Sequence, residues 1–121
     1  MTPALWGRGA SVLSYPLTQT DMTNSTDQLQ LNCRNIADEL GQVSETLAYE
    51  TRDNALDIEF TLGQRGQFLG ARLLVAFGGP NIWINTRYDR VEGSWGERCE
   101  FRYDDVNDLH GVCEELFECM R

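Results

Sequence analysis

The sequence predicts an α+β domain: an antiparallel meander of about five strands, with an N-terminal and a C-terminal helix packed on one face. Three observations lead there. Apolar residues between positions 29 and 47 recur at alternating steps of four and three, the spacing of one helix face. From Leu56 the period switches to two and is interrupted by short glycine-rich breaks, as in strands joined by tight turns. The helical period then returns and holds to the end of the chain. Connections this short join antiparallel neighbours, because parallel ones need long crossovers. Helices gathered on one side of such a sheet complete a two-layer arrangement.

Residues 1–23 are poor in charge, include Gly7, Gly9, Pro3 and Pro16, and keep no period. They read as an extended or poorly ordered arm before a single domain at 24–121. Ser25 or Thr26 is the expected N-cap of the first helix, with Asp27 in its first turn, where the dipole favours an acid. Leu29, Cys33, Ile36, Leu40, Val43 and Leu47 form its apolar stripe; Asp27, Arg34, Asp38 and Glu45 lie opposite, and Gly41 weakens its middle. Leu56, Ile58, Phe60 and Leu62 then alternate with polar residues in a half-buried strand, and Gly63-Gln64-Arg65-Gly66 turns the chain. Phe68 to Phe77 is the second strand; its unbroken run Leu73-Leu74-Val75-Ala76-Phe77 suits a well-covered central position. After the break at Gly78-Gly79-Pro80, a third strand runs from Asn81 to Arg87, with Ile82 and Ile84 on one side and Trp83 and Asn85 on the other. Tyr88-Asp89-Arg90 turns into a fourth strand with Val91, Gly93 and Trp95. The fifth, Arg98 to Tyr103, points Cys99, Phe101 and Tyr103 inward and Arg98, Glu100 and Arg102 outward. Asp104 or Asp105 caps the last helix, whose buried face is Val106, Leu109, Val112, Cys113, Leu116, Phe117 and Met120.

A chain of 121 residues with 41% hydrophobic residues can bury a core without staples. Its 19 acids against 10 basic residues, all arginine, leave a net charge of −9. That charge argues against a polybasic surface for nucleic acid or membrane. No apolar run approaches the length of a membrane-spanning helix. No basic segment followed by an apolar stretch and a cleavage site opens the chain, so a cytoplasmic setting with reduced thiols is expected.

Catalytic and metal-binding constellations are sparse. Cys33, Cys99, Cys113 and Cys119 contain no Cys-x2-Cys or Cys-x4-Cys spacing. Cys99, His110 and Cys113 form the one zinc set that can be drawn, and buried free thiols are the preferred reading. His110 is the single histidine; Cys113, its neighbour, lies on the core stripe rather than beside it as a nucleophile. Gly78-Gly79-Pro80 lacks the Lys-Ser/Thr of a phosphate loop and leads into a strand, so it reads as a hairpin turn. No cofactor is expected, and no catalytic or metal residue is assigned. Arg87, Arg90, Arg98 and Arg102 cluster with Trp83, Trp95, Phe101 and Tyr103, a composition that suits single-stranded nucleic acid. Glu92, Glu97 and Glu100 are interleaved with them, which favours cross-strand charge pairs on a solvated face.

The acidic helix surfaces are the most suggestive feature. Five of the ten arginines fall between positions 72 and 102, so the negative charge belongs mainly to the helices. Asp108, Glu115 and Glu118 share a stripe of the last helix, with Asp104, Asp105 and Glu114 beside it. Acids in the final turns oppose the helix dipole, so helix stability does not account for them. They suit either a solubilising face or a face complementary to a basic partner.

The segment Gly78-Gly79-Pro80-Asn81-Ile82-Trp83-Ile84-Asn85-Thr86-Arg87, continuing through Val91-Glu92-Gly93-Ser94-Trp95-Gly96, resembles a stretch found in small proteins of phages and mobile elements. In size, acidity and lack of an enzyme motif the chain is similar to anti-CRISPR and anti-restriction inhibitors. That class is diverse in fold, so no functional residue transfers from it. The resemblance implies a non-enzymatic inhibitor of a host defence system, acting in the host cytoplasm. Its expected partner is a basic protein or ribonucleoprotein effector, with no direct contact to nucleic acid or membrane. Asp104, Asp105, Asp108, Glu114, Glu115 and Glu118 are the expected contacts. The alternative is a structural or immunity-type interaction module anchored by a sheet face bearing Trp83 and Trp95, and a less favoured one is a small zinc-binding protein or enzyme built on Cys99, His110 and Cys113.

Overall fold

A computed structural model describes residues 25–121; the arm expected over residues 1–23 lies outside the described residues. The elements are α1 (Ser25–Leu40), α2 (Leu47–Asn54), β1 (Asp57–Leu62), β2 (Phe68–Ala76), β3 (Asn81–Asn85), β4 (Arg90–Trp95), β5 (Glu97–Arg102) and α3 (Leu109–Met120). All five strands pair antiparallel in the order β1-β2-β3-β4-β5, the meander that the short turns predict. The helices share one core with one side of this sheet, where α1 packs on β4 and β5, α3 packs on β2, and α2 packs on α3.

Register explains the core. Ile58 pairs with Leu73, Leu73 with Ile84, Ile84 with Val91 and Val91 with Phe101, so one row of apolar residues crosses all five strands. Residues in register share a face, because side chains alternate along each strand. Leu29, Cys33, Ile36 and Leu40 of α1 close over the far side of this row, all buried. At the other end Phe117 of α3 lies 5.4 Å from Phe60 and 5.7 Å from Phe68, ring centre to ring centre. Each fully buried aliphatic side chain contributes about 1.5–3 kcal/mol.

The run Leu73 to Phe77 fails to alternate for a structural reason. Leu74 pairs with Trp83 while Ala76 pairs with Ile82, so Val75 is an extra residue and the strand carries a β-bulge. The bulge returns Ala76 to the core side, and the strand ends there; Phe77, expected inside it, is 71% exposed. β1 is an edge strand, and only its middle pair, Ile58 and Phe60, packs on the core; Leu56 and Leu62 are exposed.

The N-terminal helix departs most from expectation. Its 3–4 spacing continues to Leu47, yet α1 stops at Leu40 and the chain turns, leaving Val43 86% exposed and Glu45 in the turn. Gly41 donates from its amide to the carbonyls of Ala37 and Asp38, which closes the helix. Asn107 then holds the turn: its side chain accepts from the Ser44 amide at 2.9 Å and donates to the Gln42 carbonyl at 2.9 Å. The Ser44 hydroxyl accepts from the Leu47 amide and starts α2. At the front, α1 already includes Ser25, so the cap expected at Ser25 or Thr26 falls inside the helix.

The last helix begins later than Asp104 or Asp105 predicts. Asp108 is its N-cap, in the left-handed region at φ 57°, and its side chain accepts from the Gly111 amide. Asp105 still serves the same end, because its two carboxylate oxygens accept from the Leu109 and His110 amides. Val106 therefore sits before the helix and is exposed, and Met120 is exposed at its end.

Gly93 sets the distance between α1 and the sheet. A Cβ built there would lie 2.5 Å from Cys33 Sγ and 3.0 Å from Leu29 Cδ1. Substitution Gly93→Ala should therefore push α1 off β4 and lower the unfolding free energy by about 1–3 kcal/mol, the range for overpacked cores. Urea unfolding followed by circular dichroism checks this, and a midpoint equal to wild type would contradict the packing described.

Candidate functional site

Two chemically different surfaces result from this layering. The helices hold Asp27, Asp38, Glu39, Glu50, Asp53, Glu114, Glu115 and Glu118 against only Arg34 and Arg52. The strands hold Asp57, Glu59, Glu92, Glu97 and Glu100 against Arg72, Arg90, Arg98 and Arg102, which is near balance. Because all the helices lie on one side of the sheet, the negative charge is gathered there too.

The six predicted acids divide into two groups. Asp105 accepts from two backbone amides with its two oxygens, and Asp108 accepts from the Gly111 amide with Oδ1 and is otherwise exposed, so both hold the start of α3. Glu114, Glu115 and Glu118 are exposed on α3, and no basic residue stands in its last turn. Glu115 lies 4.0 Å from Arg52, and Glu118 pairs at 3.2 Å with Arg121, just past the helix end. Exposed pairs like these are worth at most about 1 kcal/mol. Glu114 has no ion pair among the described residues. Asp104 is exposed at a separate place, a hollow of about 450 Å³ between the end of α1 and the end of β5, shared with Asp38, Gln42 and Arg102. Beside it the Asp89 carboxyl is pushed up, first by burial and then by the Asp105 charge.

The open face of the sheet has its own order. Glu59, Arg72, Asn85, Arg90 and Arg102 are in register, and Leu74, Trp83, Glu92 and Glu100 form the adjacent row. The Arg72 guanidinium lies over the Trp83 ring, 4.2 Å from its centre, and reaches Glu59 at 3.2 Å and Glu92 at 3.6 Å. Arg90 reaches Glu92 at 3.1 Å and Glu100 at 3.5 Å. The interleaved charges thus pair around Glu92, as their alternation predicts, and Arg72 joins them. Arg87, Arg98 and Arg102 have no ion pair among the described residues. A hollow of about 300 Å³ opens here, lined by Arg72, Asn81, Trp83, Arg90 and Arg98 among others.

Trp83 and Trp95 do not form one aromatic face. Trp83 is on the open side with Glu92, whereas Trp95 follows Val91 and Gly93 on the helix side, its ring 3.8 Å from a Cβ built at Gly79. Phe101 and Tyr103 belong to the covered side as well, which leaves Trp83 as the tryptophan of the open face. Sequence reasoning paired the two tryptophans by proximity; strand parity, legible once the β4 register is known, separates them. Arg72 was missed because it lies on β2, one strand away from the predicted cluster, and Asn81 because it is neither charged nor aromatic.

The remaining candidates are structural in their surroundings. His110 is half-buried, with Nδ1 3.3 Å from Thr86 Oγ1 and its ring 5.0 Å from Phe68. Burial pushes the Cys113 thiol up to about 12. The Tyr103 hydroxyl is raised by burial and then by Asp105 and Asp89. Gly78-Gly79-Pro80 connects β2 to β3 as a hairpin. Among the described residues no three His, Cys, Asp or Glu side chains are grouped to hold a metal ion, and no helix is long and apolar enough to cross a membrane.

The division among the acids has a direct consequence. Asp105→Ala removes two amide acceptors and should cost about 1–2 kcal/mol, the upper range for a lost helix cap. Glu114→Gln should leave the unfolding midpoint where it is or raise it slightly, because it removes a charge that opposes the dipole. Denaturant titration of both variants checks the pair; equal midpoints would contradict the assignment.

Comparison of the chain with family models, with curated proteins and with solved structures finds no match.

Proposed function

We propose that the chain is a non-enzymatic inhibitor of a host defence system. It binds a basic, nucleic-acid-handling effector complex in the host cytoplasm and blocks that complex's access to nucleic acid. The observation behind this reading is the excess of acids over arginines on the helix layer, centred on Glu114, Glu115 and Glu118, of which Glu114 has no ion pair among the described residues. Carboxylates held on a rigid helix can stand where phosphates would otherwise sit. Long-range attraction between surfaces of opposite sign speeds encounter and selects the partner. Asp104 extends the acidic surface; Asp105 and Asp108, already hydrogen-bonded to the backbone, serve by shaping the helix start rather than by contact. The resemblance of Gly78 to Gly96 to proteins of mobile elements points the same way.

A second reading, an immunity-type module, is favoured by one observation: Trp83 borders a hollow on the sheet face that no described helix covers. Such an aromatic is a suitable anchor for a partner. Trp95, facing the other side, takes no part in that version.

Binding to purified CRISPR effector complexes and restriction enzymes, measured across a salt series, tests the first reading. Affinity should fall as salt rises. The triple variant Glu114→Gln/Glu115→Gln/Glu118→Gln should bind roughly tenfold or more weakly, chiefly through slower association. Unchanged affinity in that variant would overturn the acidic-face reading. Trp83→Ala at preserved fold stability separates the alternatives: a large loss there, with the triple variant unaffected, transfers the contact to the sheet.

A further inference from the structure

Cys33 and Cys99 are 66 residues apart in the chain, yet their sulfurs lie 3.6 Å from each other. Cys33 is fully buried on the inner face of α1, and Cys99 is half-buried on β5. Both are free thiols. Gly93, the register partner of Cys99, makes their approach possible: a Cβ there would lie 2.5 Å from one sulfur and 3.4 Å from the other. A disulfide needs a separation of about 2.0 Å, so closure asks the sulfurs to move together by about 1.5 Å. Among the described residues β5 is an edge strand, bonded only to β4, and α1 packs on both. Edge elements open more readily than central ones. A bond between these two sulfurs ties the edge to the helix that covers it.

We propose that Cys33 and Cys99 are a modification site, a thiol pair that a small disulfide such as oxidised glutathione closes into an intramolecular disulfide and that an excess of thiol reopens. The accessible Cys99 reacts first. Its thiolate attacks one sulfur of oxidised glutathione, forming a Cys99–glutathione mixed disulfide and releasing one glutathione thiolate. Cys33 then gives up its proton and attacks Cys99 Sγ, which breaks the mixed disulfide and releases the second glutathione. Two protein thiols are oxidised, and one glutathione disulfide is reduced to two thiols. Burial, reinforced by the neighbouring Cys99, holds the Cys33 thiol well above the usual range, so the second step is the slow one. The mixed disulfide therefore accumulates before the ring closes. Closure constrains a long loop of the unfolded chain and raises stability.

The test uses the full chain carrying Cys119→Ser, which removes the exposed cysteine and its exchange between molecules. Reduced protein is incubated with oxidised glutathione, quenched with an alkylating agent at intervals, and read by intact mass and peptide mapping. The expected course is a single glutathione adduct on Cys99, followed by loss of the adduct and a Cys33–Cys99 linked peptide. The thermal midpoint should rise on closure and return on reduction. Adding Cys33→Ala should stop the reaction at the adduct. Should that core change prevent folding, Cys99→Ser at the half-buried position should abolish both the adduct and the midpoint shift. A reaction that ends at the Cys99 adduct in the chain with both cysteines, a link to Cys113, or no reaction over hours would each overturn the proposal.

Discussion

The row Ile58–Leu73–Ile84–Val91–Phe101 is the constraint on which the rest of the molecule rests. A five-stranded antiparallel sheet has two faces, and this row makes one of them apolar across its full width. That face must be covered, and α1 and α3 cover it from opposite ends, with α2 resting on α3. The depth at which α1 sits is decided at one backbone position, Gly93, where Leu29 and Cys33 come closer than any side chain would allow. The bulge at Val75 keeps β2 in step with this row: without the extra residue Ala76 would turn to the open side.

Charge follows from that layering. The uncovered face cannot be apolar without inviting association, and it is instead a lattice of arginines and glutamates around Glu92, with Trp83 beneath Arg72. Because those charges largely neutralise one another, the excess negative charge is left to the helices. A net charge of −9 spread over a sphere would be a matter of solubility. With eight acids against two arginines on the helices, the molecule is instead two-sided, with an acidic surface on the helices and a paired, arginine-rich surface on the sheet. At and around α3 the acids also differ in kind. Asp105 and Asp108 are held by backbone amides, while Glu114 is left to solvent.

The architecture was largely legible in the residues. Period-two alternation, turn glycines and short connections dictate an antiparallel meander, because each reports a local backbone geometry that neighbouring residues impose on one another. Apolar spacing likewise marks the buried faces of α1 and α3. The interleaving of Arg90 with Glu92 and Glu100 was enough to expect charge pairs, and Arg90 makes one across strands with Glu100 and one within β4 with Glu92. Less was legible wherever two segments distant in sequence meet. The step of four from Val43 to Leu47 continues the helix pattern, and nothing near it announces that Asn107 will bond the Gln42 carbonyl and the Ser44 amide and hold a turn there. The start of α3 was misplaced for a local reason: Asp105 bonds forward to Leu109 and His110 without being the cap itself, which is Asp108.

Local patterning thus accounts for the fold class, the strand meander and the inward faces, because these depend on spacing along the chain. It also accounts for the acidity of the helices, a matter of composition. Register and layer depth are different in kind: they depend on which atoms arrive opposite one another. Strand parity places Trp83 and Trp95 on opposite sides, the close approach at Gly93 brings Cys33 beside Cys99, and the Asn107 side chain holds the turn where α1 ends short of Leu47 and α2, a helix the spacing did not predict, begins. The last two join residues separated by several whole elements, and the first depends on a register that spacing along the chain does not encode.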